Sequence, residues 1–133
     1  MRLPLLAAVL LLAGPALAQE QQPPLTAETL QRYGAACTES KQANAGKPKT
    51  MESLRGQDLD AIPKKHGFTG IDEVMKIGNR VMFVDMYADA DAEQLKALEQ
   101  QADPMMKAMI AQAMVDAPVV KANKASVDAC KAG

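Results

Sequence analysis

The sequence predicts an all-α protein, a compact bundle of about five helices whose N- and C-terminal helices are tied by one disulfide. Three observations carry this prediction. Apolar residues recur at three- and four-residue intervals along most of the chain, and no segment alternates with the period of a strand. Helix-start signals (Thr26, Asp91 with Gln94, Asp103 with Pro104) stand just before those periodic runs. Ala and Met are abundant while large rings are scarce, with no Trp, two Phe and two Tyr. That composition suits close-packed helices better than a sheet.

Residues 1–18 read as a signal peptide. Arg2 supplies a positive n-region, Leu5 to Leu12 form the apolar h-region, and Ala16-Leu17-Ala18 offers small residues for cleavage near Ala18–Gln19. The run is shorter than the ~20 apolar residues of a membrane span. The mature chain is therefore expected to be periplasmic or secreted, with no transmembrane anchor. No Cys follows the cleavage site, which argues against lipid anchoring. Residues 19–24, polar and ending in Pro23-Pro24, form a flexible leader, and residues 25–133 form a single helical domain.

Leu25-Thr26 opens the first helix, with Thr26 as N-cap and Leu25 and Leu30 placed as a hydrophobic staple. Leu30, Tyr33 and Cys37 form its inward stripe, and Gly46 and Pro48 end it. Thr50 caps a shorter helix expected to turn Met51, Leu54, Leu59 and Ile62 inward. Lys64-Lys65-His66-Gly67 looks like a helix end, with basic residues at the negative pole, Gly67 left-handed and Phe68 folding back. The third helix starts after Thr69-Gly70 with Asp72 and Glu73 in its first turn. Ile71, Val74, Met75, Gly78, Val81, Met82 and Met86 keep helical spacing, and Ile77, Phe83, Val84 and Tyr87 widen the apolar surface. So apolar a helix is expected at the centre of the bundle.

Asp91 and Gln94 make a capping box for a fourth helix, with Leu95 and Leu98 inward. Asp103-Pro104 starts the last one, an N-cap followed by Pro at the first helical position. Met105, Met106, Met109, Ile110, Ala113 and Met114 give it a broad apolar face. Asp116-Ala117-Pro118 repeats the same start signal, so the helix is expected to bend or begin anew there, with Asp116 as a cap. Val119, Val120, Val127 and Cys130 continue the stripe. Cys37 and Cys130 are the only cysteines, and in an exported chain such a pair is most simply a disulfide. Closing a loop that spans 93 positions would stabilise the fold by roughly 4.6 kcal/mol in the chain-entropy account.

Lys65-His66-Gly67-Phe68, followed by Asp72-Glu73 and an apolar helix, is similar to a pattern found in small secreted all-helical bacterial proteins of unknown role. It covers residues 60 to 88. Those proteins often carry Trp after the acidic pair, where this chain has Val74. The resemblance implies a compact helical fold and brings no catalytic residue with it.

Charge excludes some partners. Fifteen basic and sixteen acidic side chains give a net charge of −1 with His66 neutral, and no basic patch suggests nucleic acid. Catalysis finds no support either. Ser40, Ser53 and Ser126 lack a nucleophile-elbow context, and one histidine is the only available imidazole base. Asp85, Asp89, Asp91 and Glu93 cluster around a turn but lack the Gly and Glu of a calcium loop. The sequence thus predicts no catalytic residue, no resident cofactor and no dedicated metal site.

The methionines remain. Thioethers suit Cu(I), and Met82 with Met86, or Met106 with Met109, place two sulfurs on one helical face. All four also lie on faces the periodicity assigns to the core, where Met fills irregular gaps. His66 with a Met partner would suit haem, although its place before Gly67 favours a solvated imidazole at a helix end. Met105, Met106, Met109 and Met114 exceed what one short helix need bury. The sequence therefore points to a non-catalytic protein that binds a partner helix, peptide or apolar ligand on a Met-rich surface. Its alternative is a periplasmic copper or haem carrier using Met82, Met86, Met106, Met109 and His66.

Overall fold

The computed structural model describes residues 22–131, so the expected signal peptide and the start of the expected leader lie outside the described residues. Seven helices and no strand occur among those described: α1 (Ala27–Ala43), α2 (Met51–Leu54), α3 (Ala61–Lys65), α4 (Ile71–Tyr87), α5 (Ala92–Gln101), α6 (Pro104–Ala122) and α7 (Lys124–Asp128). The fold is all-α. Four helices are long, and the three short ones shape the connections.

Local chemistry sets the helix ends where the sequence predicts them. Thr26 accepts the Thr29 N–H, and Leu25 and Leu30 on either side of that cap are both buried. Asp91 and Gln94 close a reciprocal capping box, and Asp103 accepts the Met106 N–H with Pro104 in the first turn. At the end of α3 the Phe68 N–H donates to the Pro63 carbonyl at 3.0 Å, and that of Gly67 to Lys64 at 3.1 Å. These are the two bonds of a Schellman ending, with Gly67 at φ 85° and Phe68 buried. The first turn of α4 is satisfied from outside the helix. Asp60 Oδ1 accepts the Ile71 N–H at 2.8 Å, and Glu73 reaches back to the Thr69 N–H at 2.6 Å.

The core gathers Leu30, Tyr33 and Ala36 from α1 with Phe68, Ile77, Val81, Val84 and Tyr87. Ile110, Ala113, Ala117 and Val120 from α6 and Val127 from α7 complete it. The helix at the centre is α6, on which α1, α4, α5 and α7 all pack. This corrects the expectation that α4 occupies the middle. The buried face of α4 runs through Ile77, Val81, Val84 and Tyr87, whereas Met75, Met82 and Met86 point to solvent. Met51, Leu59 and Leu98 are likewise exposed, against the inward placement expected for them.

The last helix does not restart at Pro118. It runs unbroken from Pro104 to Ala122 with Pro118 inside, and Asp116 is a buried helical residue rather than a cap. Pro118 is solvent-exposed and offers no N–H to the Met114 carbonyl one turn earlier. Packing on both sides of that gap keeps the helix continuous, since Ala113, Ala117 and Val120 are all in the core.

Cys37 and Cys130 form a disulfide with Cα atoms 5.1 Å apart. It joins the second half of α1 to the chain end beyond α7, the helix that packs most closely along α1. The close approach needs Gly34. A Cβ at that position would lie 2.6 Å from the Ser126 carbonyl oxygen and 2.9 Å from the Ser126 Cα. At Gly78, similarly, a Cβ would stand 3.1 Å from the Tyr33 hydroxyl, so this glycine of α4 admits the α1 ring.

Candidate functional site

The most buried charged group in the described residues is Asp116, with no solvent exposure. Arg80 of α4 grips it with one edge of its guanidinium. Nε donates to Oδ2 at 2.8 Å and Nη2 to Oδ1 at 2.7 Å, a bidentate pair. Oδ1 also accepts the Leu25 N–H at 3.0 Å and the Gln112 amide at 3.4 Å. Arg80 in turn donates to the Pro23 carbonyl at 2.6 Å and to Gln22 Oε1 at 3.3 Å. The pair thus straps residues 22–25 across α4 and α6. Fully buried and held by four donors, this carboxylate is a structural anchor.

Beside the anchor, residues of α4, α6 and Gln22 line a groove of about 660 Å³. Arg80, Asp116, Asn79, Gln112 and Gln22 supply polar groups at one side. The remaining lining is apolar and mostly small: Phe83, Ala108, Met109, Ala111 and Ala113. Its size lies within the range of small-molecule sites, and its mixture of apolar walls with a few fixed polar groups matches theirs.

One methionine lines this groove, and the other described ones lie exposed elsewhere on the surface. Met109 is half-buried in the groove wall, while Met105, Met106 and Met114 of the same helix are exposed. On α4, Met75, Met82 and Met86 share one face, spaced seven and four residues apart and opposite the buried one. Among the described residues no methionine belongs to the core or to the apolar side chains packed against it. The gap-filling role expected for Met82, Met86, Met106 and Met109 is therefore corrected for the exposed three, and Met109 fills a groove wall instead.

His66, expected as a solvated imidazole, is instead three-quarters covered and paired. Its Nε2 meets Glu39 Oε2 at 2.6 Å, and Lys65 Nζ meets Glu39 Oε1 at 2.6 Å. Hydrogen bonds from Lys65 and then His66 hold the Glu39 carboxyl below its ordinary range. One nitrogen of the imidazole is thus engaged across α1 and the end of α3. Arg32 lies 5.1 Å over the Phe68 ring and donates to the Gly67 carbonyl at 3.2 Å, which fastens the same corner.

The acidic turn also resolves into structural roles. Asp85 pairs with Lys131 at 2.8 Å, and Asp91 caps α5. Among the described residues no three His, Cys, Asp or Glu side chains are grouped to hold a metal ion. Of the serines, Ser53 closes the cap of α2 with Thr50, and the Ser126 backbone abuts Gly34.

No family model, curated protein or solved structure matches the chain. Function must be argued from the groove itself. Its key members escaped sequence reasoning: Arg80 and Gln112 are polar residues in apolar helical runs with no motif around them. The Asp116 signal was visible but had a local explanation. The one usable clue was an acidic residue inside an otherwise apolar helical run, 36 residues from the only Arg on the preceding long apolar helix.

Proposed function

We propose that this chain is an exported, non-catalytic binding protein whose receptor is the α4–α6 groove together with the exposed methionines of α6. The observation that carries the reading is the groove of about 660 Å³, walled by Phe83, Met109 and alanines, on a helix whose Met105, Met106 and Met114 are left exposed. Apolar side chains left in water in that number favour a partner that covers them. Unbranched thioether side chains adapt to more than one apolar shape. The fitting occupant is a partner helix, peptide or apolar ligand that presents aliphatic groups to the groove and a polar group to Asn79 or Gln112. The disulfide supports export to an oxidising compartment, which the signal-like residues 1–18 would direct.

The test compares native and denatured masses of the protein purified from its own compartment, beside an Ala111→Lys variant. Ala111 lines the groove yet is exposed, so the change should charge the groove without disturbing the core. A bound species on the wild type that the variant lacks, at equal thermal stability, supports the reading. Equal masses throughout, or a species retained by the variant, overturns it.

A soft-metal carrier is the second reading, favoured by the solvent access of Met82 and Met86 on adjacent turns of α4. Titration of Cu(I) into the protein and into Met82→Leu/Met86→Leu and Met106→Leu/Met109→Leu variants tests it. Affinity unchanged in both variants rules out both pairs.

A further inference from the structure

Seven of the eight described methionines (Met51, Met75, Met82, Met86, Met105, Met106 and Met114) are exposed, from 37% for Met106 to 75% for Met51. The eighth, Met109, is half-buried. The core is built without Met, from Leu, Ile, Val, Ala, Phe and Tyr. This inverts the usual preference of methionine for the interior. It also separates two properties that normally conflict, because a thioether that reacts in a core wrecks the packing around it.

No other sulfur competes. The chain has only two cysteines, both locked in the Cys37–Cys130 disulfide, and it has no Trp. Exposed thioethers are therefore the readily oxidised groups of the folded protein.

We infer that this surface is a site of methionine sulfoxidation: the folded chain takes up as many as seven oxygen atoms from a peroxide without unfolding. In each step a lone pair on the methionine sulfur attacks one oxygen of hydrogen peroxide. The S–O bond forms as the O–O bond breaks. The proton on the transferred oxygen passes to the departing hydroxide, which leaves as water. Sulfur is oxidised by two electrons and peroxide is reduced by two. The product sulfoxide is polar, and at these seven positions it points into water rather than into a core. The chain thereby acts as a stoichiometric peroxide sink, whatever the groove holds.

The order of reaction follows burial. The seven exposed sulfurs should react at rates close to that of free methionine, and Met109, shielded by Phe83 and the walls of the groove, should lag behind.

The experiment is a hydrogen peroxide titration of the mature, disulfide-intact protein. Intact mass counts the added oxygens, peptide mapping places them, and circular dichroism with thermal melting follows the fold. The expected result is stepwise addition of up to seven oxygens with Met109 last, the helical signal retained and the melting temperature nearly unchanged. A second protein with all seven exposed methionines replaced by Leu should take up no more than one. Two results overturn the inference: loss of helical signal before the exposed sites are filled, or oxidation of Met109 as fast as the rest. Uptake by the Leu variant equal to that of the wild type would place the chemistry elsewhere and overturn it as well.

Discussion

Replacing Arg80 with Met leaves the Asp116 carboxylate buried without its cation. Asp116 has no solvent exposure, and it would lose its two shortest hydrogen bonds, at 2.7 and 2.8 Å. The Leu25 N–H at 3.0 Å and the Gln112 amide at 3.4 Å would remain. Breaking a buried pair by removing one partner costs about 3–5 kcal/mol, most of it the penalty of the stranded charge. For a domain of this size the melting temperature should fall by roughly 10–20 °C. Adding Asp116→Asn removes the charge while keeping an oxygen for the Leu25 N–H. The double variant should then recover about 2 kcal/mol relative to Arg80→Met alone, a coupling expected of groups in direct contact. Urea unfolding of wild type, both single variants and the double variant, with the disulfide intact, measures all four corners. An Arg80→Met cost below about 1 kcal/mol, or strict additivity in the double variant, would refute the claim that this pair is a desolvated anchor.

Other elements of the fold give equally direct expectations. Cys37→Ala/Cys130→Ala should lose about 2–5 kcal/mol, read as a lower urea midpoint, and reducing agent should reproduce the loss in the wild type but not in the variant. Gly34→Ala should cost about 1–3 kcal/mol by forcing α7 off α1, because its Cβ would lie 2.6 Å from the Ser126 oxygen; a neutral result would mean the helices can separate freely. Burial, reinforced by the Asp85 charge and opposed by Lys131, holds the Tyr33 phenol above its ordinary pKa. The folded state then keeps a proton that the unfolded state releases. This contribution is complete below about pH 10 and is lost as pH rises toward the folded value, so Tyr33→Phe should flatten the alkaline decline in stability. The Glu39 carboxyl is displaced the opposite way by Lys65 and His66. Its contribution is present above the unfolded carboxylate range and disappears as pH falls through the lower folded value. Glu39→Gln should therefore reduce the acid-side slope of the urea midpoint.

What could be read from sequence was local. The caps at Thr26, Asp91 and Asp103 and the Schellman ending at Gly67 lie within a few residues of their partners, so the chain announces them. The disulfide was legible for another reason, since two cysteines allow one intramolecular pairing. The face of α4 was not legible. Ile77, Val81 and Val84 and the trio Met75, Met82 and Met86 both keep helical spacing on nearly opposite sides. With large apolar residues on two opposite sides of one helix, periodicity has no basis for choosing between them. Asp116 failed for a related reason. Asp-Ala-Pro carries the same signal as a true helix start, and only the approach of Arg80 from another helix turns the carboxylate inward. The groove inherits that blindness, because its polar side is made by contacts between residues far apart in the chain.

Two bonded anchors bracket α1, and they explain how so much methionine can stay outside. Before the helix, Asp116 holds the Leu25 N–H and Arg80 holds the Pro23 carbonyl. In its second half, Cys37 is joined to Cys130. Between these points α1 contributes Leu30, Tyr33 and Ala36 to the core, three side chains of which only two are large. Hydrophobic burial by α1 is correspondingly modest, at about 25 cal/mol for each Å² of apolar surface removed from water. Cross-links that do not depend on apolar area make up the difference. A fold secured in this way need not draw its thioethers inward to remain stable. The exposed methionines are then free to serve partner binding or oxidation, and removing either anchor should weaken the fold without changing the chemistry of that surface.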